Sequence, residues 1–372
     1  MKFEWKTYTF EEVCNKIYSG GTPSTKHSEY WNGNINWLSS GETSSRYIYK
    51  TEKKITQLGV EKSSTKKAFE GSTIVASAGQ GHTRGQASYL MIDTYVNQSI
   101  IVFEPNTNII DNKYLYYNID GRYEELRQLS DGTSTRGGLS GWIVKRMQIN
   151  LPNLSTQYRI SSILSVLDDK IELNNKINQN LEQQAQAIYH FMFLSTSQTT
   201  DKIGLLSELI TIKYGKDHKK LNDGVYPVYG SGGIIRYVEK PLYHKESVLI
   251  PRKGSLNNIL YVESPFWVVD TMFFTEMKMP NIAKFVFHCM KSKNLVSLNT
   301  GSAVPSMTTA ILNSMKIKIP SVERLEKFEK LVTPMYKKIK ENMYQSEYLA
   351  NLRDALLPKL MKGEIDVSKI KI

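Results

Sequence analysis

The chain has 372 residues, 40% hydrophobic and 23% charged, which is ordinary for a soluble globular protein and long enough for two or three domains with sizeable cores. Its formal net charge of +12 points to a polyanionic partner, nucleic acid or an anionic membrane. Cys14 and Cys289 lie far apart and form no CxxC or metal-spaced cluster, the start MKFEWKTYTFEEVC lacks the apolar core of a signal peptide, and no apolar run approaches the ~20 residues of a membrane helix; buried thiols and a cytoplasmic location are expected, with no membrane partner.

In chain order, FEEVCNKIYSG from Phe10 leads into residues 19–42, SGGTPSTKHSEYWNGNINWLSSGE, read as a polar loop whose Trp31 and Trp37 anchor it to the core. Short β-type runs follow at STIVASA from Ser72 and QSIIVFE from Gln98, then helical patterns from Asp111. MQINLP from Met147 precedes a helix predicted over 153–194. Apolar or semi-polar residues recur there at Ile160, Leu164, Leu167, Ile171, Asn174, Asn178, Leu181, Ala185, Ile188 and Met192, the alternating four- and three-residue step of a heptad seam. Pro152 stands just before it, and Asn153 or Ser155 can cap it. Forty residues make a rod of roughly 60 Å. Asn174 and Asn178 either fix register inside the seam or face water; Asp168 and Asp169 face solvent on the heptad reading.

The second half repeats this order. LSELITIKYG from Leu206, ESVLIPR from Glu246, PFWVVDTMFF from Pro265 and NIAKFVFHCMKS from Asn281 read as short elements, and MKIKIP from Met315 precedes a helix over 322–357. Its seam is Leu325, Phe328, Val332, Met335 and Ile339, then Leu349 and Leu356; Pro334 predicts a bend or break, and Pro358 and Gly363 a stop. Glu12 falls on Glu208 and Tyr18 on Tyr214, 196 positions apart, and Met147 on Met315, 168 apart. Single matches are weak, but a common order is not. The fold class expected is α+β: two pseudo-symmetric α/β units separated by two long antiparallel, coiled-coil-like helices. The boundaries expected are 1–152, 153–198, 199–320 and 321–372.

Glycine-rich polar loops recur in both units. Lys and Arg neutralise phosphates, Ser and Thr set register on the sugar-phosphate chain, and Arg, Asn and Gln reach base edges. Candidates in the first unit are Ser19, Thr22, Ser24, Lys26, Gln80, His82, Thr83, Arg84, Thr133, Ser134 and Arg136. In the second they are Lys213, Lys216, Lys219, Lys220, Ser231, Arg252, Lys253, Asn257 and Ser302. Such turns also occur in any β-containing protein, and a lysine run is commonly a solvated face. Recurrence in both halves of a basic chain favours recognition. The sequence holds no P-loop, H-E-x-x-H, G-x-S-x-G or Asn/Asp-Pro-Pro-Tyr motif, so no catalytic residue and no metal or cofactor ligand is assigned.

The segments YSGGTPSTKHSEYWNGNINWLSSGE, VNQSIIVFEPN from Val96, INLPNLSTQYRISSILSVLDDKIELNNKINQNLEQQAQAIYHFMF from Ile149 and LRDALLPKLMKGEI from Leu352 resemble the specificity subunits of type I restriction-modification systems. The resemblance covers essentially the whole chain. It implies a non-catalytic DNA-binding subunit whose two target-recognition domains each read one half of a split, asymmetric target. It implies partners as well: double-stranded DNA, two methyltransferase (modification) subunits docked on the helices, and two restriction (translocase–nuclease) subunits. S-adenosylmethionine, ATP and Mg would sit on those subunits, not on this chain. A self-contained DNA methyltransferase or nuclease, and a protein-only coiled-coil adaptor, are the competing readings.

Overall fold

The structure is a computed structural model that describes residues 5–79, 83–131, 138–195, 202–298 and 305–370. It divides into two compact units, residues 1–172 with 345–372, and residues 173–344.

The first unit contains β1 (Lys6–Thr9), α1 (Phe10–Val13), β2 (Cys14–Ser19), β3 (Trp31–Leu38), β4 (Tyr47–Ile48), β5 (Lys53–Ile55), α2 (Gln57–Glu61), β6 (Lys66–Ala68), β7 (Thr73–Ala76), β8 (Ala87–Leu90), β9 (Thr94–Val96) and β10 (Ile100–Pro105). α3 (Asn112–Asp120), α4 (Tyr123–Asp131), α5 (Gly141–Arg146) and β11 (Gln148–Leu151) follow, and then α6 (Leu154–Tyr189). One sheet runs β2-β10-β7-β8-β4 and a second β5-β3-β9-β6, while β1 pairs antiparallel with β11. The second half of residues 19–42 is therefore not a loop. Ile35 and Trp37 alternate with asparagines, a period-2 pattern that the polar composition masks, and β3 pairs with β5 and β9.

The second unit repeats the frame: β12 (Lys202–Leu205), α7 (Leu206–Leu209), β13 (Ile210–Tyr214), β14 (Tyr226–Gly230), β15 (Gly233–Val238), β16 (Ser247–Pro251), β17 (Leu260–Val262), β18 (Trp267–Val268), β19 (Met272–Met277), α8 (Ala283–Lys291), α9 (Thr309–Asn313), β20 (Lys316–Ile319) and α10 (Val322–Met361). Its larger sheet runs β13-β19-β16-β17, the order of β2-β10-β7-β8, and the smaller runs β15-β14-β18. β12 pairs with β20 as β1 does with β11. The run from Pro265 is two strands, because it turns at 269–271 between β18 and β19.

The repeated glutamates have a shared task. Glu12 Oε2 accepts from the Thr9 amide at 2.6 Å and Glu208 Oε1 from the Leu205 amide at 2.8 Å, each closing the first turn of a four-residue helix. Hydrogen bonds from Thr9 hold the Glu12 carboxyl below its ordinary range, and for Glu208 the leading cause is Lys202.

Both long helices contribute to both units, and within each unit they run antiparallel. In the first, Asp168 meets Arg353, and Arg159 donates to the Val367 carbonyl at 2.9 Å. In the second, Asn342 Nδ2 donates to Asn178 Oδ1 at 2.8 Å, and Arg324 donates to the Met192 carbonyl. Asn174 and Asn342 are buried, so the asparagines lie inside the seam. Asn153 Oδ1 caps α6 by accepting from the Thr156 amide at 2.9 Å. Beyond Tyr189 the chain continues as a π turn over His190–Ser195, with Phe193 buried.

Two expectations fail here, a break at Pro334 and the exposure of Asp168. α10 is unbroken through Pro334 and Pro358 and runs to Met361, with Gly363 beyond it in the left-handed region at φ +70°. Pro334, Lys330, Pro358 and Asp354 are all exposed, so water can serve the carbonyls that lose a donor. Gly363 donates to the Leu360 carbonyl and Glu364 to that of Lys359, the 5→2 and 6→1 bonds of a Schellman cap. Asp168 is buried instead of facing solvent, because Tyr47 and Tyr117 cover the flank of α6 beside the seam. Asp169 is exposed, as expected.

Candidate nucleic-acid interface

The ends of equivalent strands bring the candidate loops together, once in each unit. In the first unit Ser19 closes β2, and the Gly20 and Gly21 amides donate to the Asn97 and Val96 carbonyls at 3.2 and 3.1 Å. The Ser77 amide donates to Ser99 O, and Leu139 to Ser77 O, both at 2.8 Å. Thr22 Oγ1 donates to Gln98 Oε1 at 2.6 Å. Ser19, Thr22, Ser77, Gln98 and the chain at 138–139 thus form one cluster.

The second unit builds the same cluster with different side chains. The Lys216 amide donates to Val268 O at 2.9 Å, Arg252 to Thr271 O at 2.9 Å, and Met307 to Arg252 O at 2.9 Å. The Arg252 guanidinium lies 5.4 Å from the Tyr214 ring centroid and donates to Asp270 O at 3.1 Å. Asn258 Nδ2 donates to Ser231 O at 2.6 Å, tying the β14–β15 turn to the loop after β16. Lys213, Lys216, Tyr214, Ser231, Arg252 and Lys253 therefore share one end of the sheets.

Tryptophans pin both clusters. Trp37 Nε1 donates to Gly21 O at 3.3 Å, and Trp267 Nε1 to Lys216 O at 2.9 Å. They reach equivalent carbonyls from opposite members of the parallel pairs β3–β9 and β14–β18. Trp37 is buried and packs edge-on against Trp31 at 5.0 Å, so the expectation that these rings anchor the loop holds.

The glycines serve the fold. A Cβ on Gly20 would sit 2.0 Å from Val96 O, one on Gly21 2.0 Å from Ser64 Oγ, and one on Gly215 2.0 Å from Val269 O. Gly20→Ala and Gly215→Ala are each expected to cost about 1–3 kcal/mol, as overpacking against rigid backbone does. Thermal melting of each variant checks this; an unchanged midpoint would show that the loop yields.

The remaining candidates spread around these clusters. Ser24 and Lys26 are exposed before β3, and Thr83 is half-buried. Arg84 is committed elsewhere: its guanidinium pairs with Asp131, and its carbonyl accepts from Arg127 at 3.3 Å. Lys213 pairs with Glu276 at 3.6 Å. Lys216, Lys219 and Lys220 are exposed and make no ion pair with a described residue. Asn257 Oδ1 accepts from the Leu295 amide at 3.0 Å, a structural task. Gln80, His82, Thr133, Ser134, Arg136 and Ser302 lie outside the described residues.

Sequence reading missed one basic feature. A cleft of about 490 Å³ lies between the edge strands β2 and β6, lined by Lys16, Lys66, Lys67 and Lys145 with Glu11, Glu104 and Tyr18. Tyr18 Oη donates to Lys67 O at 2.6 Å across it. Its lysines come from β2, β6 and α5, so no local charge run marked it. Among the described residues no group of three or more His, Cys, Asp or Glu side chains could hold a metal ion, and no helix is long and apolar enough to cross a membrane.

Two repeated α/β units, each ending in a loop cluster and each packed with both long helices, define a structurally duplicated protein. The sequence profile of the type I restriction modification DNA specificity domain matches residues 2–183 and 202–345, and the chain belongs to that family. It is 26% identical to the type I restriction enzyme MjaIX specificity subunit of Methanocaldococcus jannaschii, over 99% of this chain and 95% of that one. It is 24% identical to the EcoprrI specificity subunit of Escherichia coli, over 89% and 88% of the two chains. Among solved structures, the type I restriction-modification S subunit from M. genitalium aligns over 96% of both chains with a TM-score of 0.54 at 20% identity, a likeness of fold.

Proposed function

We propose that this chain reads a bipartite, asymmetric DNA target, one half-site per recognition domain, and docks methyltransferase subunits on its helices. The carrying observation is the loop cluster built twice on the same strand order with different side chains: Ser19, Thr22 and Gln98 in one unit, Tyr214, Lys216 and Arg252 in the other. One scaffold with two chemistries suits two different half-sites, and spacing between half-sites then follows from protein geometry. The exposed lysines of the second cluster supply sequence-independent affinity through phosphates. No catalytic role is assigned to this chain. Adenine methylation from S-adenosylmethionine and ATP- and Mg-dependent translocation and cleavage belong, in this reading, to two modification and two restriction subunits, in the cytoplasm. The domains of the reading are recognition domains at 1–152 and 199–320 with spacer helices at 153–198 and 321–372.

Methylome sequencing with and without the gene tests it. A split, non-palindromic adenine-methylated motif should vanish on deletion and return on complementation. An unchanged methylome in a strain whose modification subunits are intact would end the proposal. Methylation by the purified chain alone would favour the self-contained enzyme instead.

A further inference from the structure

The hairpin β14–β15 carries an apolar surface that the fold does not use. Val225 is 77% exposed, Ile235 57%, Ile234 46% and Tyr237 43%. The root is anchored by buried Val228 and Val238, and the turn by the Asn258 bond to Ser231 O, which leaves these apolar side chains uncovered between them. β15 is a free edge of its sheet. Exposed edges of this kind invite association unless they have a partner.

The hairpin's local chemistry specifies that partner. The register pairs Val228 with Arg236 and Tyr229 with Ile234, so Ile235 is the extra residue of a β-bulge. A bulge re-aims its side chain, and here both isoleucines emerge next to the tip. The tip is narrow: Cβ atoms on Gly232 and Gly233 would meet nothing within 4 Å, and Gly233 has φ +114°. The loop carrying Lys216, Lys219 and Lys220 lies along β15, joined by the Glu239 amide to Asn222 O at 3.0 Å and by Arg236 to Leu221 O at 2.9 Å. Arg236 is held by Asp223 at 2.8 Å, which leaves the three lysines as the cations beside the ribbon. Lys253 is exposed next to Gly254, whose Cβ position lies 3.4 Å from Ser231 Oγ at the tip. An apolar ridge two strands wide with cations on its flanks matches the major groove, about 12 Å wide, edged by phosphates and carrying thymine methyl groups.

Resting on the reading that the second unit binds a DNA half-site, we propose that the β14–β15 ribbon enters the major groove there. Ile234 and Ile235 read thymine 5-methyl groups by apolar contact. Lys216, Lys219, Lys220 and Lys253 hold the flanking phosphates. The half-site of this unit therefore contains at least one A·T pair read through its methyl.

The test uses the full-length chain with its modification subunits and duplexes carrying the methylome-defined target. Each thymine is replaced in turn by deoxyuridine, which lacks only the methyl. In one half-site a single replacement should weaken wild-type binding about fourfold, the worth of one buried methyl-sized group. The double variant I234S/I235S should bind thymine and uracil duplexes equally, while I234V/I235V keeps the discrimination. Both isoleucines are exposed, and melting curves confirm that the variants fold. The proposal is overturned if neither half-site responds to uracil, if the serine variant still discriminates, or if that variant keeps DNA discrimination but loses the modification subunits, which would make the ribbon a protein contact. A wild-type complex with no target preference at all would instead bring down the half-site reading beneath it.

Discussion

Replacing Asp168 with alanine is expected to destabilise the first unit by about 1–3 kcal/mol, the cost of leaving buried donors without their acceptor. Asp168 accepts from Arg353 Nη1 at 2.6 Å, Tyr117 Oη at 2.8 Å and Tyr47 Oη at 3.1 Å, with Arg46 Nε at 3.6 Å. Asp168 and Arg353 have side chains only 2% and 8% exposed. Removing the carboxylate leaves Arg353 Nη1 without its partner, while Nε and Nη2 keep the exposed Asp354 carboxylate at 2.8 Å. Burial raises the Tyr47 and Tyr117 pKa values well above the ordinary phenol range, so both stay protonated donors. Arg353→Met should cost less, because Asp168 keeps Arg46 and both hydroxyls. The pair Asp168→Leu with Arg353→Met should recover most of the loss: Arg46 retains Asp120 at 2.9 Å, and the tyrosine hydroxyls retain each other at 3.1 Å. Denaturant unfolding of Asp168→Leu, Arg353→Met and the double supplies the cycle. A loss below about 1 kcal/mol for Asp168→Ala would mean that this network is no stronger than a surface ion pair.

The same residue shows what the sequence could convey. The heptad period finds the face each long helix gives the other, and Ile160, Leu164, Ala185, Leu325, Phe328 and Val332 are buried as that period demands. It cannot find a second neighbour. Asp168 lies beside the seam and is covered by Tyr47 and Tyr117, from elements remote in sequence, so a one-partner pattern sends it to solvent. No break forms at Pro334 for a related reason: the cost of an interior proline depends on whether the lost bond faces water, and period alone does not weigh that. In the loops, the duplication was legible because Glu12 and Glu208 repeat the same helix-capping task. Their contents were less legible, because backbone bonds such as Ser77 to Ser99 and Arg252 to Thr271 bring the loops together and carry no residue signature. Composition marked Arg84 and Asn257 as readers, yet the fold engages Arg84 with Asp131 and Asn257 with the Leu295 amide. The β14–β15 ridge escaped notice because YGSGGIIR from Tyr229 reads as a glycine-rich polar loop, whereas it forms the end of β14, the turn and the bulged start of β15.

Acidification should unfold the second unit from His288. Its ring is buried, with Nδ1 2.6 Å from Gln186 Oε1 and Nε2 2.8 Å from Tyr336 Oη. Burial, with Lys291 adding to it, lowers its pKa to about 3. Gln186 Oε1 can only accept, so Nδ1 carries the proton, and Nε2 accepts from the Tyr336 hydroxyl; the neutral ring is the form that fits. Below the unfolded-state pKa near 6.5 the unfolded chain binds a proton that the native state refuses. The stabilisation is therefore complete above about pH 6.5 and is lost progressively as pH falls toward 3. At about 1.36 kcal/mol per pH unit, pH 5 alone removes on the order of 2 kcal/mol. His288→Gln cannot titrate and can still hydrogen-bond on both sides. It should be less stable than the parent at neutral pH, through imperfect filling of the ring's site, yet lose less stability between pH 6.5 and 5. Carboxylates titrate in both proteins at lower pH, so the difference between the two slopes isolates the imidazole. Parallel slopes across that window would show that the buried ring accepts its proton without penalty, and that the α6–α8–α10 packing around it relaxes far more readily than its geometry implies.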